Sequence, residues 1–347
     1  MPKQLFDIEK SHATLGGLLA SHQAVLGDLF VNPSTLDNII TFTDAFSEDL
    51  SSFWGFEIPL SETSEADFLF CVHKPEELAK WGVQANCYLD NSPFYNGLNS
   101  FSSDWLELLK PHISNVWFEY DHDQMEIGNY VPNFFVGPAK GLHPLHLIAT
   151  LQPLLKEMGG CANVESYRFL LKVMRQLPHG SWLSQIGQMM ARGDNHLRVF
   201  IQDLPKGGIP ELLGKLGYEG NLTTSLLSWL EFANKYCKKV ELDLDIATKL
   251  GKQLGIELYF EEMESALKFL EKLQEHGLCT KEKYDRLYNH LIKLRVDKSA
   301  SIHRFFSHFK ISFDGASAFK AKAYIGFITK DQMPFAFGTK PLKITKP

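Results

Sequence analysis

Two hydrophobic rhythms alternate along this chain. Short stretches change from apolar to polar at every second residue, as half-buried strands do, while longer ones repeat every three or four, as amphipathic helices do. In 240–246, Val240, Leu242, Leu244 and Ile246 oppose Glu241, Asp243 and Asp245. In 196–202, Leu197, Val199 and Ile201 oppose His196, Arg198, Phe200 and Gln202. Likewise Ile256, Leu258 and Phe260 oppose Glu257, Tyr259 and Glu261, and Phe309, Ile311 and Phe313 oppose His308, Lys310 and Ser312. Ala321, Ala323, Ile325 and Phe327 oppose Lys322, Tyr324 and Gly326, and Val116, Phe118 and Tyr120 oppose Trp117, Glu119 and Asp121.

The strand-like runs come in pairs joined by turn chemistry. Phe53–Leu60 and Ala66–His73 flank the polar Ser61-Glu62-Thr63-Ser64. Residues 116–120 and 133–136 have Gly128 between them, and 184–191 and 196–202 turn at Gly193-Asp194-Asn195. Residues 239–246 and 255–261 join across Gly251, and 308–313 and 320–328 across Asp314-Gly315. Helix-period segments precede each pair: 12–30 and 34–52, 145–158 and 165–176, 209–216 and 222–235, 264–276 and 281–294. A weaker pair, 78–82 and 104–109, is separated by an Asn/Ser/Gly-rich stretch at 90–103 that reads as a loop.

The order helix, helix, strand, strand therefore recurs five times. Hairpins paired edge to edge form ten antiparallel strands, and closing them leaves no strand edge exposed. The predicted fold is α/β: five ααββ repeats forming a ten-stranded antiparallel barrel inside a ring of helices. Residues 1–330 read as one domain and 331–347 as an extended tail. Each strand alone would fit an open sheet with a solvated polar face, but sheets of about ten strands tend to curl. Closure turns the polar faces into a lumen, where charges must be paired, hydrated or used. Such a chamber suits a reaction.

Composition narrows the choice. The formal charge of −6, with 44% hydrophobic and 22% charged residues, argues against a nucleic-acid surface or a polybasic membrane anchor, yet leaves room for a local basic pocket. The five cysteines, Cys71, Cys87, Cys161, Cys237 and Cys279, are scattered and read as buried free thiols of a reducing compartment. No signal segment or run of about 20 apolar residues appears. A cytoplasmic protein without a membrane span is expected.

The five ααββ units resemble the prenyltransferase barrel, or ABBA fold, of aromatic and peptide prenyltransferases. The resemblance is of topology over roughly 5–330, and no signature motif accompanies it. The last hairpin, with His308-Phe309-Lys310-Ile311-Ser312-Phe313 and Lys322-Ala323-Tyr324, also looks like a bacterial group associated with peptide natural products. The resemblance implies an isoprenoid diphosphate in the lumen and an aromatic or peptide acceptor. It implies Arg198, Lys310, Lys322 and Tyr324 as diphosphate ligands, because a leaving diphosphate needs cations and phenols. Trp117, Phe200 and Tyr259 would shield the allyl cation with π faces. Glu119 would be the catalytic carboxylate that orients the acceptor or takes its proton.

One hairpin departs from that pattern. Glu241, Asp243, Asp245, Glu257 and Glu261 would make its inward face acidic and repel a diphosphate. Three explanations stay open: Mg²⁺ held by carboxylates, Asp243 and Asp245 first among them; a cationic acceptor such as a guanidinium or amine; or a structural charge network with Arg198 and the lysines. The Asp-Asp-x-x-Asp motif of all-helical isoprenoid enzymes is absent. His143-Pro144-Leu145-His146 reads as a helix start rather than a metal site, Gly159-Gly160 and Gly207-Gly208 as helix-boundary punctuation, and Met189-Met190 as strand packing. Prenyl transfer is the leading reading. A non-catalytic barrel binding a peptide or small hydrophobic molecule, and another metal-dependent peptide-tailoring enzyme, are the alternatives.

Overall fold

A computed structural model describes residues 14–23, 26, 33–44, 46–48, 51, 53–61, 66–78, 92–109, 111–193, 195–205, 207–293 and 302–329. Cys87, the ends of the first two predicted helices and the 331–347 tail lie outside the described residues.

Among the described residues the elements follow the predicted order, with a short additional helix inside the second hairpin; the predicted 78–82 helix lies outside them beyond residue 78. Helices α1 (Leu15–Ser21) and α2 (Pro33–Thr43) lead into β1 (Phe53–Pro59) and β2 (Asp67–Val72). Helix α3 (Pro93–Asp104) runs into a π-helical turn (Trp105–Leu109) and then β3 (Ile113–Tyr120), the short α4 (His122–Glu126) and β4 (Asn133–Pro138). Next come α5 (Pro144–Glu157), α6 (Val164–Gln176), β5 (Trp182–Gln188) and β6 (Leu197–Gln202). Helices α7 (Gly208–Leu216) and α8 (Thr224–Tyr236) precede β7 (Lys239–Ile246) and β8 (Leu250–Tyr259). Finally α9 (Met263–Glu275) and α10 (Lys281–Lys293) precede β9 (Ile302–Phe313) and β10 (Phe319–Thr329).

Every strand pairs antiparallel with its chain neighbour, and β1 pairs with β10 to close the barrel. The apolar parity of each strand faces outward. Val199, Ile201, Leu242, Leu244 and Phe309, all fully buried, join one large core with Leu170, Leu213, Phe269 and Leu287 of the surrounding helices. Local chemistry sets the helix starts. His143 Nδ1 accepts from the Leu145 N–H at 3.3 Å with Pro144 in the first turn, as the His-Pro pair predicted. Asn163 and Thr223 cap α6 and α8 through the N–H groups of Ser166 and Leu226, each at 3.1 Å.

Four local expectations are corrected. The 90–103 stretch is not a loop, because α3 spans most of it. Its Asn, Ser and Gly residues lower helix propensity, but Phe94, Tyr95, Leu98 and Phe101 are buried on one face and tertiary packing overrides the local preference. Gly97 permits that packing: a Cβ there would lie 2.7 Å from the Glu157 carbonyl oxygen at the end of α5. Gly97→Ala should therefore cost about 1–3 kcal/mol through overpacking, read as a lower urea midpoint. The third hairpin's first strand ends at Gln188, and Met190–Arg192 forms a single 3₁₀ turn instead of strand. Gly251 lies inside β8, with the turn at 247–249. Glu261 lies beyond the end of β8 and is exposed, so it leaves the acidic inward set.

Cys71, Cys237 and Cys279 are buried thiols as expected, but Cys161 is exposed. Among the described residues, no helix is long and apolar enough to cross a membrane.

Candidate active site

The polar parity of the strands converges on the lumen. Register places Glu57 opposite Asp67 and Tyr324, Glu119 opposite Leu69 and Asn133, and Lys310 opposite Lys322 and Glu257. It places Arg198 opposite Asp245 and Phe200 opposite Asp243. All the predicted site residues, Glu119, Arg198, Lys310, Lys322, Tyr324, Trp117, Phe200, Tyr259, Glu241, Asp243, Asp245 and Glu257, thus share this interior.

Two charge networks line it. In the first, Glu57 of β1 is gripped by the Lys322 ammonium and the Tyr324 hydroxyl of β10. Lys322 also stands 3.7 Å from Asp67. Arg192, on the turn after β5, forks onto Asp121 with two bonds of 2.7 Å and stands 3.9 Å from Glu119. In the second, Arg198 forks onto Asp245 at 2.8 and 3.0 Å, and Lys310 pairs with Asp243 at 2.6 Å and approaches Glu257 at 3.8 Å. The Tyr259 hydroxyl donates to Glu257 at 2.9 Å, and Lys239 pairs with Glu241. His308 stacks on Tyr324 with ring centroids 4.0 Å apart and lies 4.5 Å from the Tyr259 ring.

Beside the charges lies an apolar stripe. Phe53, Cys71, Ile328, Leu69 and Phe305 form one lumenal cluster, and Phe135, Met189 and Phe200 another, with Trp117 packed against both. Phe53 meets Trp117 edge-on at 5.0 Å, and Lys310 sits 5.4 Å above the Phe200 ring. Trp117 and Phe200 therefore belong to an aromatic wall. Tyr259 instead belongs to the His308 stack and is hydrogen-bonded to Glu257. Met189, expected in strand packing, is part of the lumenal wall.

The charges perturb each other strongly. Burial alone would raise Glu57, but Lys322 and then Lys310 outweigh it and bring the carboxyl down to about 2. Burial raises Asp67 well above the usual range; Lys322 opposes this, while Glu57 and Glu119 add to it. Glu119 is pushed up to about 7 by burial and then by Glu57 and Asp121, against the pull of Arg192 and Lys322. Glu257 rises to about 8 through burial, with Lys310 opposing and Glu241 and Asp243 adding. Burial would lower Lys310 and Lys322, but the surrounding carboxylates, Asp243 and Glu57 foremost, raise both. Burial and then Lys310 hold His308 neutral. Carboxyls outnumber cations here, and Asp67, Glu119 and Glu257 limit the excess by retaining protons near neutral pH.

Sequence reasoning missed Glu57, Asp67 and Arg192 as members of these networks, and placed His308 on the inward face without giving it a role. The parity of Glu57 with Phe53 and Gly55 was the available signal for its facing. Arg192 lies on a turn, where parity carries no information. Of the three readings of the acidic hairpin, the charge network with Arg198 and the lysines is the one the pairing fits: Asp243 and Asp245, the first candidates for Mg²⁺, are partnered by Lys310 and Arg198. The described group whose oxygens approach one another is Glu57, Asp67 and Glu119, within 4.8 Å. Two clefts, of about 290 and 450 Å³, are lined largely by helix and loop residues outside this lumen. The second is lined by His112 and His146, with ring centroids 6.2 Å apart.

No protein-family model and no curated protein matches the chain. Solved structures do match. A 5-dimethylallyltryptophan synthase from Streptomyces coelicolor aligns at a TM-score of 0.52 with 12% identity, covering 91% of this chain and 98% of that one. A 6-dimethylallyl tryptophan synthase aligns at 0.56 with 12% identity, covering 95% and 98%. The prenyltransferase PriB, in its apo form, aligns at 0.55 with 11% identity, covering 95% and 99%. The likeness is one of architecture: this chain has the prenyltransferase-barrel fold, as its five repeats predicted.

Proposed function

We propose that the protein is a prenyltransferase that moves an isoprenoid group from an allylic diphosphate to an aromatic or peptide side-chain acceptor within the barrel. The observation that carries this reading is the inward face of one closed barrel, on which Arg198, Lys310, Lys322 and Tyr324 share the strands with an aromatic stripe. A donor with an anionic head and an apolar tail needs both surfaces. The solved barrels it resembles carry names describing dimethylallyl transfer, which agrees with the reading. A cytoplasmic location is part of it, in keeping with buried thiols outside any disulfide.

In this reaction the allylic C–O bond breaks and its electron pair leaves on the diphosphate. The lumenal cations exchange carboxylate partners for phosphate oxygens and so stabilise the leaving group. Trp117 and Phe200 present π faces to the allyl cation and help to exclude water. The acceptor attacks the cation, a bond to carbon or nitrogen forms, and the displaced proton passes to the Glu119 carboxylate.

Mg²⁺ fits this lumen poorly. Asp243 and Asp245 are already neutralised, and the Lys322 ammonium holds the place a metal would take between Glu57 and Asp67. No step is assigned to a metal.

Calorimetry with dimethylallyl, geranyl and farnesyl diphosphate tests the proposal. At least one should bind without Mg²⁺, and Lys310→Ala with Lys322→Ala should weaken it by about a hundredfold, the scale of two charge-assisted contacts. Three donors that fail to bind with or without Mg²⁺ would remove the reading.

A further inference from the structure

We infer that the lumen around Glu119 binds a positively charged nitrogen of the acceptor, a guanidinium or an ammonium group, in preference to a neutral N–H. The inference rests on the transferase reading for the word acceptor, but the site is defined by geometry alone.

Glu57, Asp67 and Glu119, from three adjacent strands, bring carboxylate oxygens within 4.8 Å of one another. The cations nearby are committed elsewhere. Lys322 is bound to Glu57, and Arg192 forks onto Asp121. Asp67 receives the His122 backbone N–H at 3.0 Å and stands 3.7 Å from Lys322. Glu119 has Arg192 at 3.9 Å, beyond hydrogen-bond distance, and no side-chain donor among the described residues hydrogen-bonds its carboxylate. Its side chain keeps 17% exposure, so a ligand can reach it.

A second, independent observation points the same way. Asn133, directly opposite Glu119 in the β3–β4 register, is 0% exposed. Its Nδ2 donates to Asp121 at 3.1 Å, while its Oδ1 meets no donor. A buried acceptor without a donor is costly, and this one belongs to the residue paired in register with Glu119, whose carboxylate also lacks one. The wall thus offers acceptors and asks for several N–H groups. A neutral ring N–H supplies one donor and no charge. An ammonium supplies three, and a guanidinium five in a planar fork suited to a carboxylate.

The groups that set the charge at Glu119 are Glu57 of β1, Asp67 of β2, Asp121 at the end of β3, Arg192 after β5, Arg198 of β6 and Lys322 of β10. Since Glu119 titrates near 7, its attraction for a cation strengthens as pH rises through neutrality.

The test uses the full chain without donor and two pairs of probes that differ in charge: N-acetyl-L-arginine amide against the near-isosteric N-acetyl-L-citrulline amide, and tryptamine against 3-(indol-3-yl)propan-1-ol, in which a hydroxymethyl group replaces the ammonium. Calorimetry at about pH 8 should show at least one cation binding about tenfold or more above its neutral counterpart, the scale of one desolvated charge contact. The preference should shrink at about pH 6 and fall below about threefold in Glu119→Gln. The pair that shows it tells guanidinium from ammonium. Equal or stronger binding of both neutral probes, no binding of any probe, or loss of the preference in about 1 mM Mg²⁺ would each overturn the inference. Failure here with a donor that still binds leaves the transferase standing. Success here with no donor bound removes the transferase and keeps the cation site.

Discussion

Glu57→Ala should unfold at a much lower urea concentration than the wild type, with a loss of about 3–5 kcal/mol and an unchanged denaturant slope. The carboxyl is 3% exposed and accepts from Lys322 and Tyr324 across the β1–β10 seam. Truncation strands the Lys322 ammonium, leaving Asp67 at 3.7 Å as its remaining carboxylate. Burial, the first cause that pushes that carboxyl up, persists in the variant although the contribution of Glu57 is lost, so Asp67 replaces Glu57 only in part. Adding Lys322→Met should recover part of the loss, because the stranded charge goes with it. A loss under about 1 kcal/mol for the single variant would mean that water already screens the pair.

Glu119→Gln should slow prenyl transfer by about a hundredfold to ten-thousandfold, the range for removing a proton acceptor, while donor affinity holds or improves. The amide is isosteric and removes one negative charge from a lumen rich in them. The pH dependence follows from the two raised carboxyls. As pH rises through about 7, Glu119 ionises and its capacity to take a proton grows. As pH rises further through about 8, Glu257 ionises beside Lys310, and the added charge weakens diphosphate binding. Steady-state rates at limiting donor should therefore trace a bell between these limbs. The variant should lose the acidic limb and keep the alkaline one. A variant as fast as the wild type at every pH would strip Glu119 of its role.

Much of this interior was legible from strand parity. Arg198, Phe200, Glu119 and Trp117 were placed correctly because their neighbours Val199, Ile201, Phe118 and Val116 are unmistakably apolar. Pairing partners were harder to see. By parity alone Asp243 fits a metal, a cationic acceptor or an ion pair, and only the fold shows Lys310 within 2.6 Å of it. Glu57 was overlooked because β1 is buried along nearly its whole length, with Phe53 on the lumenal parity and Phe56 on the outer one, so alternation is faint there. Helix α3 was hidden by its Asn, Ser and Gly content, which packing against α5 and on Phe118 and Phe134 of the barrel overrides. Arg192 reaches the lumen from a turn, beyond any periodic signal.

The seam between β1 and β10 also bears on how the molecule is made. Glu57 waits for partners 265 and 267 positions later in the chain. A nascent polypeptide emerging from the ribosome cannot neutralise that carboxylate, or hide the free edge of its first hairpin, until nearly all the strands have been synthesised. Such distant pairing implies slow maturation, and an open, strand-rich intermediate is a natural client for a chaperone that shields unpaired edges.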